Sequence, residues 1–235
     1  TEGNLLHPFS KGQKVMQMDR KMPEHQAVYE ALRDGILLGR FAPGQPMTIQ
    51  GLAEKLGVGM TPIREAIRRL TSESALETLG NRRVIVPILT QKQLDDIYFL
   101  RLSVEPELAR RAVKNVTKQH IKRLREIDRT INVAIHSGDV SAYLQSNKDF
   151  HFGIYELADS PVLMRIAQSL WLQVGPSLRV VCGRYGTASL PDKHPDILSA
   201  LLNENTEVAA SAMKEDLEQG VILAAQPSVS KFDQN

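Results

Sequence analysis

Strand signals are nearly missing from this 235-residue chain. Only Leu76–Thr78 and Val84–Val86 read as strands, and they flank a Gly80-Asn81-Arg82-Arg83 turn. That is the pattern of a single hairpin. The other patterned segments carry apolar residues at helical spacing. One hairpin closes neither a barrel nor a sandwich, so the core must come from helices packed on helices. The expected fold is mainly α.

The punctuation sets the order of elements. Residues 1–21 are polar, with Gly3, Pro8 and Gly12, and read as a flexible arm. His25 to Phe41 has helical spacing through Val28, Leu32 and Ile36, and the turn cluster Ala42–Pro46 ends it. Thr48 is placed to cap a short helix, Ile49–Leu56, that Gly57 stops. Thr61-Pro62 reads as a cap followed by proline at the first helical position, opening a third helix to about Ser74. These three helices and the hairpin make residues 22–88 a winged helix-turn-helix. From residue 90 the pattern is helical throughout. Thr90 with Gln93 fits a capping box before a helix to about Lys114. Further helices are expected from Thr117 to Gly138, from Asp139 or Ser141 to Ala158, and from Ser160-Pro161 to about Cys182. Two more run from about His194 to Leu202 and from Glu204 to about Ala225. Residues 89–235 therefore read as an all-helical bundle of six or seven helices, with a frayed tail after Pro227.

Composition narrows the class. The chain is 42% hydrophobic and 24% charged, ordinary for a globular protein. Its one cysteine, Cys182, forms no internal disulfide, which favours a reducing compartment; the cytoplasm is expected. The best apolar stretch, Leu170 to Cys182, is broken by Gln173, Gly175, Pro176 and Arg179, so no membrane span is expected. The first residues show no apolar signal core. A net charge of +2 names no partner by itself. Its distribution says more: residues 1–89 hold 12 Lys+Arg against 9 Asp+Glu, and the remainder 17 against 18. The excess of positive charge lies on the small N-terminal unit.

The third helix shows what that charge is for. Ile63, Ala66, Ile67 and Leu70 form a core stripe, while Thr61, Arg64 and Arg68 lie on another side. Arginines at i and i+4 suit a major groove, where a guanidinium bonds guanine O6 and N7 or clamps phosphate. Asn81, Arg82 and Arg83 at the hairpin tip suit a minor groove or the DNA backbone. On spacing alone, Arg64 and Arg68 equally fit a solvated face paired with Glu65 or Glu73. The segment from Ala53 to Leu70, AEKLGVGMTPIREAIRRL, resembles the signature of the GntR family of bacterial transcription regulators. Gly39, Pro43-Gly44 and Leu52-Ala53 fit the same pattern, and the resemblance spans residues 25–88. It implies DNA binding. Three positions depart from it. Met60 stands where the family has Arg, Arg83 where the wing tip has Gly, and Ala75 where Gly follows the recognition helix.

The bundle resembles the FadR-type C-terminal domain, known as FCD. The resemblance rests on Leu100–Glu105 with Ala109 and Ala112, on Asn147-Lys-Asp-Phe-His151, and on His194 with Ile197-Leu198 and Ala200-Leu201. Tyr143, Asn147, His151, Ile154 and Ala158 share one helical stripe, so Asn147 and His151 face the same way. The resemblance implies a divalent metal held by Asp or Asn and three His. Here the third His position is Asp216. The candidate set is Asn147, His151, His194 and Asp216, suited to Zn²⁺, Ni²⁺ or Mn²⁺ with positions open for a ligand carboxylate. Pro195 places His194 at a helix start. The same residues also fit two core histidines satisfied by hydrogen bonds, with Asp216 bonded to one of them. Arg101 falls near an apolar stripe. It reads either as a pair with Glu105 or as a clamp for the carboxylate of an effector.

Together these features imply a sequence-specific regulator that binds a palindromic double-stranded operator as a homodimer. A small organic acid, on the metal or beside it, would control binding. Two alternatives stand: a metal-free sensor of an acyl-CoA, and a metal-dependent helical-bundle enzyme. The chain has no Gly-rich phosphate loop, nucleophile elbow or His-Glu-x-x-His.

Overall fold

The structure, a computed structural model, describes residues 22–80, 83–185 and 193–224. The expected arm at 1–21, the wing-tip residues Asn81 and Arg82, and the tail after Pro227 lie outside the described residues. Nine α-helices and three short strands are present among the described residues.

The N-terminal unit begins with α1, Glu24–Leu37. It stops four residues before the expected Phe41, because the chain turns at Gly39 with φ +61°. Strand β1, Met47–Thr48, follows. Helix α2, Ile49–Leu56, is capped by Thr48, whose hydroxyl accepts from the Gly51 N–H at 3.0 Å. Gly57 ends it in the left-handed region at φ +67°. Helix α3 runs Met60–Ser72, with Gly59 as its cap. The expected start at Thr61-Pro62 was therefore two residues late. Pro62 sits within the first turn, where no N–H is needed. Strands β2, Glu77–Leu79, and β3, Arg83–Ile85, form the hairpin, and β1 joins β3 on its other side. The β1 partner was not anticipated, since two residues carry no alternating pattern to read.

Six helices follow. They are α4 Gln91–Ala112, α5 Lys118–Ser137, α6 Val140–Glu156, α7 Pro161–Tyr185, α8 His194–Leu202 and α9 Thr206–Ala224. The Thr90–Gln93 capping box is formed on both sides. Thr117 caps α5 and Asp139 caps α6. Helix α4 stops at Ala112, and residues 113–115 tighten into a 3-10 turn instead of reaching Lys114 as helix. Helix α9 starts at Thr206, because Glu204 is left-handed at φ +53°.

One apolar cluster joins the two parts. Val28, Leu32 and Ile36 of α1, with Ile63 and Leu70 of α3, pack in the same cluster as Leu144, Leu172 and Cys182 of the bundle. Helix α7 passes so near α1 that a Cβ on Gly175 would lie 2.2 Å from the Leu37 carbonyl oxygen. A second cluster lies deeper in the bundle, around Leu108, Phe150, Ile154, Ile197 and Met213.

Candidate functional site

Two places concentrate chemistry. The first is the outer face of α3. Ile63, Ala66, Ile67 and Leu70 are buried, and this anchors the helix by one side. Thr61, Arg64 and Arg68 are exposed on the other, and neither arginine has an ion-pair partner among the described residues. Glu73, one expected partner, is taken elsewhere. It accepts from the Tyr29 hydroxyl at 2.9 Å and from Arg69 Nε at 3.2 Å. The Arg69 guanidinium stacks on the Tyr29 ring at 3.6 Å from its centroid. Arg83 is exposed at the start of β3, beside the hairpin turn. Thr61, Arg64, Arg68 and Arg83 thus offer donors outward from one small unit. The departure at Ala75 is structurally mild: the left-handed residue is Ser74, at φ +59°, and Ala75 packs in the core.

The second place is a cavity of about 80 Å³ inside the bundle. Asn147 and His151 of α6, His194 of α8, Asp216 of α9 and Arg101 of α4 all line it. The sequence had spread these residues over more than a hundred positions. His151 and His194 are buried at 1% and 4% exposure. His151 Nε2 lies 3.3 Å from one Asp216 carboxylate oxygen, and His194 Nε2 lies 3.8 Å from the other. Burial pushes the Asp216 carboxyl up, but His151, His194 and Arg101 outweigh it and hold the group below its ordinary value. One donor atom from each of His151, His194 and Asp216 falls within 4.8 Å of the others. Two imidazoles and a carboxylate at that separation fit one divalent first-row cation. Asn147, the fourth residue of the set read from the sequence, lines the same cavity.

Arg101 pairs with Glu105, the first of its two readings. Its Nε and Nη2 donate to the two oxygens of Glu105 at 2.6 and 3.1 Å, and both side chains are buried. It also lines the cavity, with its guanidinium 4.7 Å from the Trp171 ring centroid. Pairing with Glu105 explains how a guanidinium survives there.

Sequence reasoning missed the residues behind the ligand set. Tyr155 donates to Glu105 at 2.5 Å and lies 3.1 Å from His151 Nδ1. Trp171 Nε1 donates to the same Glu105 oxygen at 2.9 Å. Asp128 of α5 lies 3.3 Å from His194 Nδ1. A signal for Asp128 was present: it interrupts the stripe Ile121, Leu124, Ile131, Ile135 with a carboxylate.

Comparison with known proteins places both parts. Residues 24–86 match the gntR family of bacterial regulatory proteins, and residues 96–219 match the FCD domain. The HTH-type transcriptional regulator McbR of Escherichia coli is 29% identical over 83% of this chain and 90% of its own. A probable D-xylose utilization operon transcriptional repressor of Paenarthrobacter nicotinovorans is 25% identical over 84% and 89%. The solved structure of McbR superposes with a TM-score of 0.83, at 28% identity, over 88% of this chain and 99% of that one. No helix among the described residues is long and apolar enough to cross a membrane. With an outward arginine face on a winged helix and both family matches in chain order, the chain belongs to the GntR family of transcriptional regulators, in the FadR subfamily that carries an FCD domain.

Proposed function

We propose that this regulator binds a palindromic operator as a homodimer and releases or gains it when a small organic acid enters the bundle cavity. The observation that carries this reading is the overlap of two sites. Leu144 and Cys182 line the cavity and also belong to the apolar cluster that holds α1 and α3. A ligand that moves those side chains moves the floor beneath the DNA-reading unit. Operator contacts are assigned to Thr61, Arg64, Arg68 and Arg83, with Asn81 and Arg82 at the wing tip. Two copies present two recognition helices, as a palindrome requires.

The cavity suits a compact acid. His151, His194 and Asp216, with Asn147 beside them, would hold Zn²⁺, Ni²⁺ or Mn²⁺, and such an ion would supply a Lewis-acidic point for a carboxylate. Arg101 offers a second anchor, since three of its five N–H donors are not used on Glu105. A volume of about 80 Å³ favours a few water molecules or a short acid over a long acyl chain.

Mobility-shift assays on the promoter of its own gene test the reading, with and without short carboxylic acids. A specific shift altered by an acid supports it, and the absence of any specific shift at moderate salt overturns it. Elemental analysis of protein purified without an affinity tag tests the metal. Metal content near zero that stays so after Zn²⁺ is offered removes the ion from the proposal. His151→Ala should abolish the effector response and leave operator binding measurable; a retained response would place the acid elsewhere.

A further inference from the structure

We propose that the first half of α5 is a docking groove for an acidic amphipathic segment of a partner protein, held by Lys118, Lys122, Arg125 and Arg129 around an apolar floor.

The four cations follow one another at spacings of four, three and four residues, so they share one side of α5. They run along roughly 16 Å of the helix axis. All four are exposed, and none makes an ion pair among the described residues. Elsewhere in the bundle exposed cations find carboxylates. Arg110 holds Glu107 and Glu207, Arg111 holds Glu107, Lys193 holds Glu215, and Lys214 lies 3.7 Å from Glu218. The one carboxylate that lines the groove, Glu126, makes no ion pair among the described residues either. The chain from residue 90 onward holds 17 Lys+Arg against 18 Asp+Glu, so this face gathers one sign of charge out of a nearly neutral body. Such a face attracts an anionic partner.

The shape narrows the partner. The same four side chains line a concavity of about 340 Å³, together with Ile121 of α5 and Leu202 of α8. Leu202 ends α8 and is 46% exposed. An apolar floor ringed by cations fits a ligand that carries carboxylates and apolar side chains together, as an acidic amphipathic helix does. A phosphate backbone is read by donors alone and would leave Leu202 unused. Position points the same way. Val140, Tyr143 and Leu144, at the start of α6, pack in the cluster that holds α1 and α3. They follow the C-terminal end of α5, and Ser137 there lies roughly 28 Å along the axis from Lys118. The groove is thus at the end of α5 remote from the winged helix. A partner seated in it leaves Arg64 and Arg68 free for the operator.

The test uses the full chain at roughly 0.15 M salt, where exposed charges act only over short distances. The probe is a fluorescent amphipathic helix with Glu on one face and Leu on the other. Its controls carry Ser for Leu, or Lys for Glu. Anisotropy should show saturable binding of the Glu/Leu peptide alone. Arg125→Glu with Arg129→Glu should weaken it at least roughly tenfold. Leu202→Ser should weaken it by a smaller factor, and Lys92→Glu on α4 should change nothing. Operator affinity and its salt dependence should be the same in every variant, which also shows that each one folds. No binding of the Glu/Leu peptide, or equal binding of the Ser control, overturns the proposal. A double variant with weaker operator affinity and a shallower salt slope assigns the stripe to DNA and overturns it. Loss of self-association in that variant, read by sedimentation, assigns the groove to a second copy and overturns it as well. If the double charge reversal fails to fold, Arg125→Gln with Arg129→Gln carries the same comparison.

Discussion

Arg64, Arg68 and Arg69 leave α3 within two turns, yet only Arg69 is used inside the fold. It stacks on Tyr29 and bonds Glu73, while the other two are exposed and carry no ion pair among the described residues. Arg64→Ala should therefore weaken specific operator binding by about 1–3 kcal/mol if the side chain is bidentate to guanine, with thermal stability unchanged. Titration of a labelled operator beside a melting curve checks both halves. The single cysteine behaves differently. Burial pushes the Cys182 thiol up to about 11. The folded protein should stay unreactive to iodoacetamide until the pH approaches that value, whereas the unfolded chain reacts from about pH 8.5. Alkylation rates with and without urea across the alkaline range measure the gap. At this scale the exposed arginines were legible, because a buried stripe fixes which side of a helix is left over. Tyr155 was not, because its importance comes from what stands opposite it on other helices, and Asp128 showed only as a carboxylate interrupting an apolar stripe.

At the scale of elements, the caps were read most surely. Thr48, Thr90 and Thr117 bond their own helix starts, and Gly57 and Gly138 end theirs in the left-handed region. Those bonds are local, so the sequence carries them whole. Thr61-Pro62 misled, since a threonine before a proline also fits inside a first turn that Gly59 already opens. Gly57 offers a clean test. Nothing lies within 4 Å of where its Cβ would be, so Gly57→Ala meets only backbone strain. It should destabilise the protein by about 1–2 kcal/mol, read as a lower urea midpoint at constant m-value. A shift in m would show that the turn between α2 and α3 has a further role in compactness.

Across the whole molecule, helix α7 is the member that both parts share. Trp171 reaches the Arg101–Glu105 pair and Cys182 lines the cavity, while Gly175 lies against the Leu37 backbone of α1 and Arg179 against Gly39. No periodicity rule marks such a contact, and α7 continues through Pro176 without a break. Gly175→Ala would put a methyl against a carbonyl that cannot yield alone. It should cost about 1–3 kcal/mol and change operator affinity even without effector. Calorimetry and operator titration of the same variant would separate the two effects. The close seat of α1 has one more consequence. Part of what keeps α1 and α3 dry is Leu144, Leu172 and Cys182, supplied from beyond residue 90. A fragment cut after residue 88 would expose that seam to water, so transplanting the winged helix alone onto a foreign sensor would yield a DNA reader with an open flank. A chimera made with this chain should carry α7 across with it.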